Sequence, residues 1–261
     1  MYADPGIHIS GAGQTVFAFH SSLSSSRQWG VLKKQITQEC RLVNVDLLGY
    51  GTANKEVDSD YSFAVELARL DEVICSLKGE KFHLVGHSCG GALALKVAMT
   101  YPQQVASIAL YEPVAFHLLE EGTDARAECD LFASKVAVSD AADAARAFTD
   151  FWNKVGFFDN LPAKLQLLMA KDMDKVNMDF KALTGEKYTA ESLKVLHSPT
   201  LIMYGKHSPK LSRTLVDILL TNISDVQSLS FDAGHMGPID EAQTIQFAIA
   251  DFIKAQKKAQ A

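Results

Sequence analysis

The chain has no run of about 18 apolar residues, so no segment is expected to span a membrane. Positive charge is scarce: 25 Lys and Arg against 31 Asp and Glu leave a formal charge of −6. A nucleic-acid surface needs a basic face, so that partner class is excluded. Cysteine is sparse and scattered (Cys40, Cys75, Cys89, Cys129), with no Cys-x-x-Cys pair for zinc or dithiol chemistry. Reduced thiols in a cytoplasmic protein are therefore expected. The start, MYADPGIHIS, lacks the basic residues and apolar stretch of a secretory signal. The one pair of histidines four apart, His83 and His87, falls on a strand pattern and not a helix, and no carboxylates show calcium-loop spacing, so no metal is expected. No Gly-x-Gly-x-x-Gly comes after the first strand pattern, since Gly11-Ala12-Gly13 precedes one. The expected cofactor is none.

What is present is ordered. At 261 residues, 48% of them hydrophobic, the chain can bury a large α/β core. Six short apolar runs read as strands, most of them buried on both faces: Thr15–His20, Arg41–Asp46, Lys81–Gly86, Val105–Tyr111, Thr200–Gly205 and Asp225–Phe231. Helical patterns separate them. One, over Tyr61–Lys78, places Phe63, Leu67, Leu70, Ile74 and Leu77 on one face, with Asp60 as its cap and Gly79 past its end. A second runs from Cys89 to about Thr100 before Pro102, and a third closes the chain. Strand alternating with helix predicts a mostly parallel, doubly wound sheet. Residues 115–196 break the rhythm with helical patterns only and read as a helical cap insertion. The core is then 1–114 and 197–261, with the cap near the strand C-terminal ends, where open α/β sheets bind ligands.

The most informative stretch is HLVGHSCGGALAL, His83 to Leu95. A strand enters Gly86-His87-Ser88-Cys89-Gly90 and a helix leaves it. In that context G-x-S-x-G puts a serine on a sharp turn, its hydroxyl clear of the sheet and close to a helix N-terminus. Ser88 is the candidate nucleophile, and a hydroxyl needs a base to take its proton. His235, in a glycine-flanked loop after the last strand pattern, is the candidate; His20, His83, His87, His117, His197 and His207 are not so placed.

With these residues the chain resembles the α/β-hydrolase superfamily almost end to end. FAFHSSLSSSRQW is similar to its H-G-x segment, with Ser21 where glycine is common. VDLLGYGTA is similar to its D-x-x-G-x-G-x-S loop, with Ala53 for serine; VGHSCGG and AGHMGP match the nucleophile and histidine loops. The resemblance implies an oxyanion hole made by the backbone N–H groups of Ser22 and Cys89, so Cys89 need not be reactive. It also implies an acid after the strand TLIMYG, but Gly205-Lys206-His207-Ser208 keeps the glycine and lacks the carboxylate. Some members carry the acid after the preceding strand. That position holds Glu112, the acid expected here; Asp232 and no acid at all are the alternatives.

These readings imply a serine hydrolase acting on a small ester, lactone, thioester or C–C bond through an acyl-enzyme. The substrate is expected to be apolar, acyl or ring-containing, because the insertion is rich in aromatics, among them Phe116, Phe132, Phe148, Phe151, Trp152 and Phe158. Haloalkane dehalogenases and epoxide hydrolases of this superfamily carry aspartate where Ser88 stands. A weakly catalytic ligand-binding protein, or a lyase or perhydrolase on the same scaffold, are the alternatives.

Overall fold

The computed structural model describes residues 4–53, 57–138 and 140–260. Strands β1 (Ile7–Ser10), β2 (Gln14–Phe19), β3 (Cys40–Val45), β4 (Phe82–His87), β5 (Val105–Tyr111), β6 (Thr200–Gly205) and β7 (Val226–Phe231) form one sheet in the order β1-β3-β2-β4-β5-β6-β7. β1 is antiparallel to β3 and every other pairing is parallel. The doubly wound sheet expected from the sequence is thus observed. Six strands fall on the predicted runs, displaced by a residue at most. β1 is not among them, because four half-exposed residues carry little apolar signal and β3 supplies the pairing. β7, at the other edge, is largely exposed and is not buried on both faces.

The helices are numbered in chain order. α1 (Gly30–Ile36) links β2 to β3, and α2 (Phe63–Ser76) and α3 (Cys89–Thr100) flank β4. Between β5 and β6 lie α4 (Asp124–Val138), α5 (Ala141–Trp152), α6 (Ala163–Lys171) and α7 (Met173–Gly185), with no strand among the described residues. α8 (Lys210–Asn222), the short α9 (Gly237–Asp240) and α10 (Ala242–Gln260) complete the chain. The alternation of strand side chains divides the core in two. Phe17, Phe19, Val43 and Leu84 face α2, α3, α8 and the α4–α7 helices. Val16, Ala18, Leu42 and Val85 face α1 and α10.

The cap expected at Asp60 is not there. α2 begins at Phe63 after an extended Ser62 that makes no capping bond. Tyr61 is instead buried and donates its hydroxyl to Glu66 in the first turn, which requires an extended backbone up to Ser62.

Strand order reverses between β2 and β4: the chain steps from β2 outward to β3, then returns to the other side of β2. A crevice opens at the C-terminal ends of strands at such a switch point. The segments after β2, β4, β5 and β7 all lead there.

His20, His83 and His87 are sealed in this core, and His117 is half-buried. Burial pushes His20, His83 and His117 down to about 4 and His87 well below its ordinary value. As pH falls from about 6.5, the unfolded chain takes up protons that the native chain refuses until about 4. The stability these neutral rings contribute is therefore present above pH 6.5 and lost progressively toward 4. The melting temperature is expected to fall steadily across that window, by an amount on the order of a few kcal/mol of stability in total. A flat profile measured calorimetrically from pH 7 to 4.5 would refute this.

Candidate active site

Ser88 stands between β4 and α3, at the cap position of the helix. Its backbone is held at φ 54°, ψ −120°, a left-handed conformation that costs a non-glycine residue about 1–3 kcal/mol. Ser88 N–H donates to Tyr111 O, and Ser88 O accepts from Ala92 N–H and Val114 N–H. The strained turn is thus bound on both sides.

His235 lies between β7 and α9. Its Nε2 is 2.9 Å from Ser88 Oγ, and its Nδ1 is 2.6 Å from Glu112 Oε2. Glu112 comes directly after β5 with a positive φ of 42°. Its N–H donates to Met203 O, and its Oε1 accepts from Gly205 N–H at 2.7 Å. The end of β6, where the superfamily pattern would place an acid, therefore presents a backbone donor that holds the carboxylate of its neighbour strand. Because the carboxylate can only accept, Nδ1 carries the proton and Nε2 is free to accept the hydroxyl of Ser88.

Asp232, the alternative acid, and Ser208, at the position the superfamily pattern gives to an acid, bond to neither His235 nor Ser88 among the described residues. Asp232 is 84% exposed and pairs with His207. Ser208 is half-buried, and its hydroxyl has no partner among the described residues.

Ser22 lines the cleft with Ser88, and Cys89 directly follows Ser88 in the chain. Cys89 is the first residue of α3, so its N–H has no acceptor within the helix. Its thiol is buried, and that burial pushes its pKa well above the ordinary value, so it is held as the unreactive thiol. The loop carrying Ser22 is tied to the core by His20. Nδ1–H of His20 donates to Ser21 O, and its Nε2 accepts from Leu47 N–H. Leu23, the next residue, has φ 56°. Four non-glycine residues have positive φ among the described residues, and Leu23, Ser88 and Glu112 are three of them. Strain of this kind collects where surrounding structure over-determines a functional geometry.

Ser22 and Ser88 line one narrow, mostly apolar cleft. Of the aromatics expected to line an acyl pocket, Phe116, Phe148 and Trp152 do so. Phe132 and Phe158 are packed inside the helical layer instead. The indole of Trp152 stacks on the imidazole of His235, with centroids 4.1 Å apart and planes at 26°.

Three features were not legible in the sequence. The stacking of Trp152 on His235 is one. His87 is another: Nε2–H donates to His235 O and so fixes the histidine loop. The third is Asp179 on α7, which lines the cleft and accepts from Ser22 Oγ. The only local trace of the last is the i, i+4 spacing of Lys175 and Asp179 in a helical pattern. Among the described residues, no group of three or more His, Cys, Asp or Glu is arranged to hold a metal ion, and no helix is long and apolar enough to cross a membrane.

Residues 14–242 match the family model described as the alpha/beta hydrolase fold, and the chain belongs to that family. Among curated proteins it is 30% identical over 148 residues to a putative 2-succinyl-6-hydroxy-2,4-cyclohexadiene-1-carboxylate synthase of Bacillus subtilis, covering 56% of this chain and 53% of that one. It is 28% identical over 123 residues to 2-hydroxymuconate semialdehyde hydrolase of a Pseudomonas species, covering 46% and 44%. The matches thus span about half the length of these relatives. Among solved structures, an esterase from Exiguobacterium antarcticum superposes with a TM-score of 0.76 at 21% identity, over 95% of this chain and 94% of that one, a likeness of fold.

Proposed function

We propose that the protein is a serine hydrolase that opens a small ester, lactone, thioester or C–C bond through an acyl-enzyme. One observation supports this above the others: an unbroken hydrogen-bonded chain, Ser88 Oγ to His235 Nε2 at 2.9 Å and His235 Nδ1 to Glu112 at 2.6 Å, opening on a cleft. In this mechanism Ser88 Oγ attacks the acyl carbon as its proton passes to Nε2 of His235. The N–H groups of Ser22 and Cys89 receive the negative charge that develops on the carbonyl oxygen. The leaving group departs with the proton from His235, leaving the acyl group on Ser88. A water then attacks as His235 takes its proton, His235 returns that proton to Ser88 Oγ as the acyl–oxygen bond breaks, and the acid product leaves. Glu112 keeps the tautomer and stabilises the imidazolium.

Residues 115–196 serve as a cap in this proposal. They contribute Phe116, Phe148, Trp152, Val176, Phe180 and Leu183 to the cleft. The narrow cleft and its apolar lining favour a short acyl or small ring group. The relatives named for ring-derived carboxylate and semialdehyde chemistry support keeping C–C bond cleavage alongside ester hydrolysis. All four cysteines are free thiols, which suits a reducing compartment, the cytoplasm.

The test is reaction with a fluorophosphonate, then peptide mass spectrometry, and turnover of p-nitrophenyl esters of increasing chain length. Stoichiometric adduct formation on Ser88 is expected. Turnover should favour butyrate over laurate by about tenfold or more in kcat/KM, since each methylene that does not fit costs on the order of 1 kcal/mol. A folded protein that neither labels nor turns over any ester would overturn the proposal.

A further inference from the structure

Among the described residues, the helical layer between β5 and β6 hydrogen-bonds the candidate oxyanion loop at one point, from Ser22 to Asp179. Asp179 of α7 is 1% exposed. Its Oδ2 accepts from Ser22 Oγ at 2.6 Å and from Tyr50 OH at 2.7 Å, while its Oδ1 pairs with Lys175 one turn earlier on the helix. The Lys175 ammonium lies 3.9 Å from the ring centroid of Tyr61 and 4.7 Å from that of Tyr50. A buried carboxylate is costly unless it is both paired and hydrogen-bonded, and this one has three partners. None of them is a sheet hydrogen bond.

Ser22 is held from two sides. His20, next after β2, and Gln28, in the turn before α1, hold the preceding residue, Gln28 through Ser21 N–H and Ser21 Oγ. Its own hydroxyl donates across the cleft to Asp179 and also hydrogen-bonds the Cys89 thiol. The next residue, Leu23, has the positive φ that a loop keeps only when its surroundings impose it.

We propose that Asp179 is a positioning residue, which anchors the Ser22 hydroxyl and so aims the Ser22 backbone N–H at the oxyanion. Lys175 compensates the carboxylate, which would otherwise oppose negative charge developing nearby. The oxyanion hole is then complete only when α7 is docked on the sheet, and the cap is part of the catalytic apparatus. This rests on the serine-hydrolase mechanism above.

The experiment compares the full-length wild type with Ser22→Ala, Asp179→Asn, the double variant, Lys175→Met, and Lys175→Met combined with Asp179→Asn. Steady-state kinetics on p-nitrophenyl butyrate are measured together with melting temperature. Loss of a whole oxyanion donor costs about 10²–10³ in kcat. A donor that is only misaimed should cost less, so Ser22→Ala and Asp179→Asn should each lower kcat about tenfold or more, with KM within about twofold. The double variant should be no slower than the worse single one, because both cut the same link. Lys175→Met should be slower than its combination with Asp179→Asn, since only the single variant leaves an uncompensated carboxylate.

Ser22→Ala keeps the Lys175–Asp179 pair intact, so it remains decisive even where Asp179→Asn fails to fold. A folded Ser22→Ala with wild-type kcat overturns the proposal. So do effects that multiply in the double variant, or a lowered melting temperature with kcat unchanged. If instead the wild type itself resists the fluorophosphonate, the hydrolase mechanism has failed, an outcome separate from these.

Discussion

Glu112→Gln is expected to lower kcat by about 10⁴-fold, the scale seen when a triad acid is made an amide. The size of the effect comes from the two partners of the carboxylate. Oε1 accepts from Gly205 N–H and Oε2 from His235 Nδ1–H, and both are donors. A glutamine has one oxygen and one NH₂ to offer. If the oxygen stays on Gly205, whose N–H cannot change, the NH₂ faces Nδ1 and drives the imidazole to its other tautomer. Nε2 then carries a proton and cannot accept that of Ser88. If the amide turns round, a buried NH₂ meets Gly205 N–H, at a cost of about 1–3 kcal/mol for the unsatisfied donor. Ser88→Ala should be the more severe change, by about 10⁶-fold. Asp232→Asn should leave kcat within about twofold, because Asp232 is exposed and serves His207. Pre-steady-state and steady-state kinetics on one ester decide the matter. Turnover of Glu112→Gln within a few-fold of wild type, while Ser88→Ala is dead, would exclude Glu112 as the acid.

Gly90→Ala is expected to have the largest effect on the folded state. Gly90 lies in the first turn of α3, where a Cβ would stand 2.3 Å from His20 O and 2.4 Å from Phe19 O. Both obstacles are main-chain atoms at the end of β2, so no side chain can rotate aside. Overpacking in a core costs about 1–3 kcal/mol when side chains can adjust, and rigid backbone puts this site at or above the upper end. At about 2–4 °C per kcal/mol for a domain of this size, melting should fall by about 6 °C or more. Activity of the folded fraction should fall as well, since α3 can relieve the clash only by carrying Ser88 away from β2 and from the Ser22 loop beyond it. Gly185→Ala is the control: a Cβ there meets nothing within 4 Å. Equal melting temperatures for the two variants would contradict the close approach of α3 to β2.

Much of this fold is written locally. Apolar runs such as Val105–Tyr111 and Thr200–Gly205 became strands with those same limits, because burial on both faces leaves a continuous signal in the chain. α3 was equally legible: the turn at Gly86-His87-Ser88-Cys89-Gly90 is a short-range pattern, and Pro102 ends the helix that leaves it. Exposed or borrowed structure was not. β1 exists because β3 offers it an edge, and the start of α2 was displaced from Asp60 by the burial of Tyr61.

By itself the sequence determined the alternation of strands and helices, the serine on its turn, the histidine after the last strand, and the absence of a carboxylate at Ser208. Each of these depends on residues within a few positions of one another. Tertiary structure alone decided which carboxylate meets His235, that Gly205 N–H holds it, that Trp152 covers the imidazole, and that Asp179 grips Ser22. Those pairs lie 83 to 157 positions apart in the chain. A hydrogen bond or ring contact depends on ångström distances in space, which only the packing of β5, β6 and the helices between them establishes.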